Sequence, residues 1–528
     1  MKSLMKKVFA AAAAIATVFG LAATTVATAN AADNATLTVS TTDAKFAGKT
    51  VNAYKMFSAT VSGDGKAVSY TLTDEWKPFF KNSVGLTGVT DENVNDKAND
   101  YVSKLKDSTL VAFATKASNW AQTKANNITA DATATVSADA SNGKYTATFT
   151  GLGYGYYVVA VPGATLANAK SQYATLVSVH STKVDADIKG DLPTVDKKVQ
   201  VDGTGKDATD AKIGDTLTFT LTSTIPDMSA YDTYTFNFKD TLSKGLTFGQ
   251  VKSVKVENVT LTENTDYTVT TPTASNNNTL TVAMKDFKTK QQANAGKKIT
   301  VTYTATLNEN AVVGGAGNVN SAKIQYSNNP STNGTGESEP SKVRVFTYGF
   351  TVDKYTGDQY TDAATRLAGA EFTLAHKDGS AISFVQVSAG SATANAVYRV
   401  AKAGETGTTT ITTPANGKVV FEGLKNGEYT LTETEAPAGY NKLASAIGVK
   451  VNGQNNGTDT TNATVTITYN NDNGNDYNQT ASNGVIPVQN KSGAILPGTG
   501  GMGTIAFTVI GVLVIALGVA WTLKRKNA

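Results

Sequence analysis

Two lysines stand where a β-strand would direct them into an apolar core. Lys197 and Lys354 each end a Thr-Val-Asp-Lys segment, and each follows a valine two residues earlier, Val195 and Val352. Because side chains alternate between the two faces of a strand, each lysine shares a face with its valine. A buried ammonium is costly unless it is paired or loses its proton. Either these amines lie inside a core, or the register shifts and they reach out to solvent.

A carboxyl and a carboxamide occur at matching inward positions near Lys354 in the predicted fold. Glu433 follows Leu431 by two residues, and Asn490 follows Val488 in the same way. Burial lowers the pKa of a lysine and raises the pKa of a glutamate, so a neutral amine can meet a protonated acid. The amine can then attack the Asn490 side-chain carbonyl while Glu433 binds that oxygen and relays protons. Loss of ammonia leaves a Lys–Asn isopeptide bond, which would stabilise an extracellular chain as a disulfide does.

Strands dominate the part of the chain that must position these groups. Between residues 35 and 490, apolar and polar residues alternate with a period of two, and Asn-Gly and Gly-rich turns interrupt them. This pattern predicts an all-β fold of tandem immunoglobulin-like β-sandwich domains. A helical pattern is confined to residues 91–126, where one or two helices are predicted. Changes in composition place the domains at 33–192, 193–345 and 346–490.

Both ends of the chain have the pattern of processing signals. Residues 1–31 contain lysines, an apolar run and a final Ala-Asn-Ala, which predicts a secretory signal peptide rather than a membrane anchor. Residues 491–528 contain Leu496-Pro497-Gly498-Thr499-Gly500, an apolar span at Ile505–Leu523 and the basic Lys524-Arg525-Lys526. The alternative for this end is an ordinary membrane anchor.

Composition excludes several classes of function. The chain has 47 Lys+Arg against 43 Asp+Glu, so its net charge of +4 does not favour binding to nucleic acid. It has no cysteine, which excludes disulfides, zinc–thiolate sites and cysteine nucleophiles. With 2 histidines, a histidine metal cluster or a Ser-His-Asp enzyme is disfavoured. We therefore predict no cofactor, no metal and no enzyme activity beyond a single autocatalytic reaction.

These motifs resemble those of sortase-dependent major pilins of Gram-positive bacteria. The C-terminal pentapeptide, span and basic tail resemble a cell-wall sorting signal, which implies that sortase cleaves between Thr499 and Gly500. Tyr429–Tyr440 matches the pilin E-box Y-x-L-x-E-T-x-A-P-x-G-Y at every fixed position. The resemblance implies that Glu433 promotes the bond between Lys354 and Asn490 in a collagen-adhesin B-type domain.

The preceding domain resembles the other immunoglobulin-like isopeptide domain of these pilins. Asp240 alternates with Phe236 and Phe238, and the resemblance implies that it is the promoting acid. We predict Asn320 as the partner of Lys197, with Asn318 as the alternative. A capping or turn role for these asparagines is the competing interpretation.

The first domain resembles the N-terminal domain of such pilins at Lys55 and in the segment 151–159. Since that segment carries no acid where the E-box glutamate would lie, no isopeptide bond is predicted there.

Polymerisation requires a lysine that accepts the threonyl group of another subunit. The resembling pilins carry this lysine in a Tyr-Pro-Lys motif, which is absent here. At the corresponding joint, Lys189 lies among Asp185, Asp187 and Asp191, and we predict it as the linking lysine. Lys183 is the second candidate, and a solvated linker charge is the competing interpretation.

Together these observations predict a structural shaft subunit of a covalent pilus, secreted and anchored to the cell wall of a Gram-positive bacterium. Its expected partners are pilus-type and housekeeping sortases, identical subunits, accessory pilins, peptidoglycan and host surface ligands. The alternative is a monomeric wall-anchored adhesin that binds host matrix proteins or glycans.

Overall fold

The computed structural model describes residues 34–63, 67–139, 143–164, 174–330, 333–361, 364–454, 463–471 and 476–493, with residues 512, 514, 515 and 517. The predicted signal peptide and Leu496–Gly500 lie outside the described residues, as does the apolar span apart from those last four positions. Within the described part of the chain, no helix is long and apolar enough to cross a membrane.

The all-β prediction is confirmed. The described chain forms two compact units: the first contains the described residues up to Thr347 and those of Gly453–Thr464, and the second contains Tyr348–Asn452 and the described residues from Val465 onward. To within one residue, the strands of each sheet fall inside one of the three predicted domains, whose limits remain a prediction.

The first part of the chain pairs two sheets with a helical cap. The sheet orders are β5-β6-β1-β9 and β3-β2-β7-β8, with β4 paired to β2. The strands are β1 (Ala35–Thr41), β2 (Thr50–Val61), β3 (Val68–Leu72), β4 (Ala132–Thr135), β5 (Ser137–Asp139), β6 (Lys144–Leu152), β7 (Gly155–Ala160), β8 (Ala174–Val179) and β9 (Lys183–Asp187). The helices are α1 (Lys77–Asn82), α2 (Val94–Ser103) and α3 (Asp107–Gln122). The helices predicted within 91–126 are therefore present, while α1 is an addition.

The middle part forms two further sheets, ordered β11-β10-β13-β19-β15-β16 and β12-β22-β20-β14-β18-β17, with β21 paired to β20. The elements are β10 (Asp196–Val201), β11 (Thr204–Lys206), β12 (Ala208–Asp210), β13 (Thr216–Thr224), β14 (Phe236–Leu242), β15 (Leu246–Val256), β16 (Val259–Thr260), β17 (Tyr267–Thr270), β18 (Thr279–Met284), α4 (Phe287–Gln291), β19 (Lys298–Leu307), β20 (Asn318–Ser327), β21 (Thr335–Glu337) and β22 (Ser341–Phe346).

The last part again has two sheets, ordered β24-β23-β29-β27-β26, with β34 paired to β23, and β28-β25-β30-β31-β32-β33. The strands are β23 (Tyr348–Thr356), β24 (Thr365–Arg366), β25 (Glu371–His376), β26 (Phe384–Ser388), β27 (Ala396–Val400), β28 (Ile411–Thr412), β29 (Lys418–Leu424), β30 (Gly427–Glu435), β31 (Ile447–Gln454), β32 (Thr464–Asn470), β33 (Gln479–Thr480) and β34 (Val485–Gln489).

Alternation along the strands determines which polar residues enter the cores. On β14, buried and partly exposed residues alternate from Phe236 to Leu242, and on β20 they alternate from Asn318 to Tyr326. On β30, Tyr429, Leu431 and Glu433 are buried while the residues between them are partly exposed. The period-two pattern thus carries acids and asparagines into the same interiors as the valines and phenylalanines.

Candidate isopeptide sites

The first candidate site lies between the two sheets of the middle part. Lys197 extends from β10 in one sheet, whereas Asp240 and Asn320 extend from β14 and β20 in the other. Strands β14 and β20 are antiparallel neighbours, with Asp240 opposite Ala322. All three side chains belong to residues with 0% exposure. A lysine, an acid and an asparagine therefore meet in one core without solvent.

Their contacts converge on a hydroxyl that the sequence analysis did not single out. The Lys197 ammonium donates to the Asp240 carboxylate and, at 2.9 Å, to the hydroxyl of Tyr303 on β19. That hydroxyl donates to Asp240 Oδ2 at 2.7 Å. The Asn320 amide Nδ2 donates to the same hydroxyl at 2.6 Å. Lys197 and Asn320 are consequently joined through one oxygen atom.

Burial controls the ionisation of this cluster. Removal from water lowers the pKa of Lys197 to about 8, although the Asp240 charge acts in the opposite direction. Burial, reinforced by Asp240, raises the pKa of Tyr303 well above its usual value, so its hydroxyl keeps the proton. The ammonium nitrogen also lies 5.1 Å from the ring centroids of both Phe219 and Tyr303, contacts that favour the charged form as Asp240 does. The effect of burial is larger, so the site favours an uncharged amine more than water does.

This shift predicts an unusual pH dependence in a chain that cannot form the bond, such as Asn320→Ala. Between pH 8 and 10.5 the unfolded chain keeps the Lys197 proton and the folded chain does not. Stability to urea should therefore rise with pH in that window, by up to about 1.4 kcal/mol per pH unit. The control also carries Lys197→Met and Asp240→Leu, which remove the titrating lysine and the carboxylate that contacts it. Equal pH slopes for the two proteins would contradict the buried, shifted amine.

The second candidate site lies inside the last part of the chain. Lys354 on β23 is 0% exposed, Glu433 on β30 is 2% exposed, and Asn490 directly follows β34 and is 1% exposed. Strands β23 and β34 are parallel neighbours, with Lys354 opposite Val488. The lysine and the asparagine thus come from adjacent strands of one sheet, and the acid comes from the other sheet.

At this site the carboxylate itself contacts both nitrogens. Lys354 Nζ lies 2.8 Å from Glu433 Oε1. The Asn490 amide donates to Glu433 Oε2 at 3.0 Å and to the Asn441 carbonyl at 3.0 Å. The backbone N–H of Leu443 donates to Glu433 Oε2 at 2.8 Å. Because a carbonyl only accepts, the Asn441 contact orients the amide nitrogen towards the acid. Burial lowers the pKa of Lys354, against the opposing effect of Glu433.

Asn318, the alternative partner of Lys197, has other contacts. It is buried, but its amide oxygen accepts from the N–H of Val312 at 2.8 Å. Its amide nitrogen donates to the carbonyls of Val312 at 3.2 Å and Val345 at 3.1 Å. These hydrogen bonds connect the loop at Val312 to the strand that contains Val345. They agree with the turn role that the sequence analysis gave as the competing interpretation for the asparagines. Asn320 is the asparagine whose amide reaches the hydroxyl bound to Lys197.

Three groups at these sites were missed from sequence. Tyr303 lies in an alternating segment with Ile299 and Val301, which signals an inward side chain but not its partners. Asn441 and Leu443 contribute backbone groups, and a backbone contact cannot be recognised from the residue type.

The first part of the chain has a different environment around its candidate lysine. Lys55 is partly exposed on β2, and its amine lies 5.7 Å from the ring centroid of Tyr157. The strand register shifts between Lys55 and Phe57, so regular alternation is broken there. The absence of an isopeptide bond at Lys55 therefore stays a prediction.

The candidate linking lysines lie at the end of this part. Lys183 is exposed at the start of β9, and Lys189 follows the end of that strand. The Lys189 side chain is 36% exposed, and its amine lies 3.2 Å from Asp187. Nearby, Lys45 pairs with both Asp43 and Asp191. Both candidates are open to solvent, and the geometry does not choose between them.

No group of three or more histidine, aspartate and glutamate side chains within the described ranges could hold a metal ion.

Comparison with known proteins identifies two segments. Residues 213–330 match the family described as Gram-positive pilin backbone subunit 2, Cna-B-like domain, and residues 358–466 match the SpaA prealbumin-like fold domain. The trypsin-resistant surface T6 protein of Streptococcus pyogenes serotype M6 is 25% identical over 279 residues, which are 48% of this chain and 44% of that protein. This chain thus spans under half the length of that curated relative.

Two solved backbone pilins illustrate the structural likeness. The T6 backbone pilin of S. pyogenes has a TM-score of 0.45 and 20% identity, covering 80% of this chain and 83% of that one. The major pilin SpaD of Corynebacterium diphtheriae has a TM-score of 0.40 and 20% identity, covering 79% and 91%. The family matches confirm the resemblance to Gram-positive backbone pilins that the sequence motifs indicate.

Proposed function

We propose that this chain is the shaft subunit of a sortase-assembled covalent pilus. The observation that carries the proposal is the presence of two separate Lys–acid–Asn clusters, each buried in its own sandwich. A family match to a Gram-positive pilin backbone domain accompanies the first cluster. Shaft subunits experience pulling forces along the polymer, and internal covalent bonds would keep each domain folded under such a load.

The bond-forming step needs only groups present in each cluster. The uncharged lysine amine attacks the side-chain carbonyl carbon of asparagine, and a new N–C bond forms. The bond from that carbon to Nδ2 breaks, and a proton from the lysine nitrogen passes to the departing nitrogen, which leaves as ammonia. Glu433 would take up and return that proton for Lys354 and Asn490. Asp240 would hold the corresponding charge for Lys197 and Asn320.

Polymerisation would use the ends of the chain. A sortase would cleave between Thr499 and Gly500 and transfer the threonyl group to Lys189 of the next subunit, with Lys183 as the second candidate. A housekeeping sortase would attach the finished polymer to peptidoglycan, and accessory pilins would join it. In this proposal the polymer of mature subunits is a fimbrium on the cell surface, and it supports adhesion to host ligands.

The shaft and the single adhesin predict different products in the cell wall. Muralytic release followed by boiling in SDS should yield a ladder of very large species that carry this chain, because covalent links between subunits survive detergent. The same extraction from a strain without the pilus-type sortase is the control and should yield a monomer. A single monomer-sized band from the wild type would favour the monomeric adhesin and contradict the shaft.

A further inference from the structure

The two clusters differ in what connects the attacking and departing nitrogens. At the second site, Glu433 contacts Lys354 Nζ at 2.8 Å and Asn490 Nδ2 at 3.0 Å. At the first site, the described contacts of Asp240 are with Lys197 and Tyr303. The described hydrogen bond of the Asn320 amide nitrogen at this site goes to the Tyr303 hydroxyl, so the connection from the acid to the asparagine runs through that group.

The Tyr303 hydroxyl occupies the connecting position. It lies 2.9 Å from Lys197 Nζ and 2.6 Å from Asn320 Nδ2, and it donates to Asp240 Oδ2 at 2.7 Å. Because its single proton is given to the carboxylate, the hydroxyl oxygen accepts from both nitrogens. The ring is held by stacking on Phe219, with centroids 5.3 Å apart and an interplanar angle of 18°. The hydroxyl is therefore fixed against both reacting atoms.

We propose that Tyr303 is a catalytic residue that carries the proton from the Lys197 nitrogen to the departing Asn320 nitrogen. After the amine has attacked, the hydroxyl oxygen takes a proton from the lysine nitrogen. At the same time the hydroxyl turns its own proton from Asp240 to Nδ2, whose lone pair is available once the carbonyl carbon is tetrahedral; the C–Nδ2 bond then breaks and ammonia leaves with the hydroxyl restored. Asp240 positions the hydroxyl and stabilises the transient positive charge. This role of Tyr303 rests on the proposed isopeptide reaction, to which it adds the group that carries the proton.

Tyr303→Phe tests the proposal while keeping the ring that stacks on Phe219. The full-length chain is made by cell-free translation, quenched in acid at intervals and mapped for the two cross-linked peptide pairs. We expect the Lys197–Asn320 link to form about 100-fold more slowly, the lower end of the usual range for general acid–base catalysis. The Lys354–Asn490 link lies in the other compact unit, so it should form at its wild-type rate and serves as the internal reference for synthesis and quenching. Tyr326→Phe, six residues beyond Asn320 on β20, is the matched control and should change neither rate.

A second variant separates proton transfer from a structural hydroxyl. Site-specific 3,5-difluorotyrosine at position 303 keeps the hydroxyl but makes it more acidic. If the hydroxyl carries the proton, the rate of the Lys197–Asn320 link changes with that acidity; a structural hydroxyl leaves the rate at the wild-type value.

The outcomes distinguish the catalytic role from the underlying reaction. A wild-type rate for the Lys197–Asn320 link in either Tyr303 variant, with both links formed, would overturn the Tyr303 role alone. Absence of both links from the wild-type chain would overturn the isopeptide reaction and the Tyr303 role with it.

Discussion

Glu433→Ala is expected to prevent the Lys354–Asn490 bond and to destabilise its domain strongly. The bond closes a loop of about 135 residues. By lowering the entropy of the unfolded chain, a cross-link of that span raises the free energy of unfolding by about 5 kcal/mol. Removal of the carboxylate also leaves the Lys354 amine buried without its partner, a change that costs about 3–5 kcal/mol when a buried ion pair is broken. These two effects overlap, so we expect a loss of at least about 5 kcal/mol.

Intact mass and thermal unfolding check this prediction in chain secreted by a sortase-deficient host. After correction for the mass of the substitution itself, the variant should be heavier than the wild type by one ammonia, because it forms one isopeptide bond fewer. Its domain should unfold roughly 10–20 °C lower than in the wild type. Glu435→Ala, at an exposed glutamate on the same strand, is the matched control and should keep both the mass deficit and the stability. An unchanged ammonia deficit in Glu433→Ala would show that this acid does not promote the bond.

Lys189→Ala is expected to abolish the ladder of covalent polymers and leave monomer in the wall extract. Acyl transfer needs a free amine, and the Lys189 side chain is 36% exposed beyond the end of β9. Its ion pair with Asp187 is solvent-exposed, so it should be worth about 0–1 kcal/mol and release the amine readily. The extraction and SDS analysis described for the wild type measure the effect.

Lys183→Ala is the matched control for the linking lysine. It removes an exposed amine from the same segment, and the ladder should persist. If the ladder persists in Lys189→Ala and is lost in Lys183→Ala, the linking lysine is Lys183. A ladder that persists in the double variant would contradict the placement of the linking lysine at this joint.

Alternation predicted the inward positions of the reactive groups because the strand period fixes the face of each side chain. Lys197 and Asp240 each follow an apolar residue by two positions, Asn320 precedes Ala322 by two, and the structure buries all three. The pairing of strands was less accessible, since it depends on contacts between residues far apart in sequence. For that reason the alternation around Tyr303 is compatible with an inward side chain but gives no sign that its hydroxyl joins Lys197 to Asn320.

Backbone groups and short helices account for other differences. The carbonyl of Asn441 and the N–H of Leu443 shape the second site, and every residue type supplies such groups equally. Helix α1 has only six residues, and its buried adjacent Phe79 and Phe80 lack a recognisable helical period. Selection of Lys189 over Lys183 depends on access by another protein, which neither sequence pattern nor side-chain exposure determines.

Peptide mapping of chain from the sortase-deficient host tests the central claim most directly. The account predicts two cross-linked peptide pairs, one joining Lys197 to Asn320 and the other joining Lys354 to Asn490, each lighter than its linear peptides by one ammonia. Recovery of those lysines and asparagines in unmodified linear peptides would contradict the account, and a link from Lys197 to Asn318 would contradict the assignment at the first site.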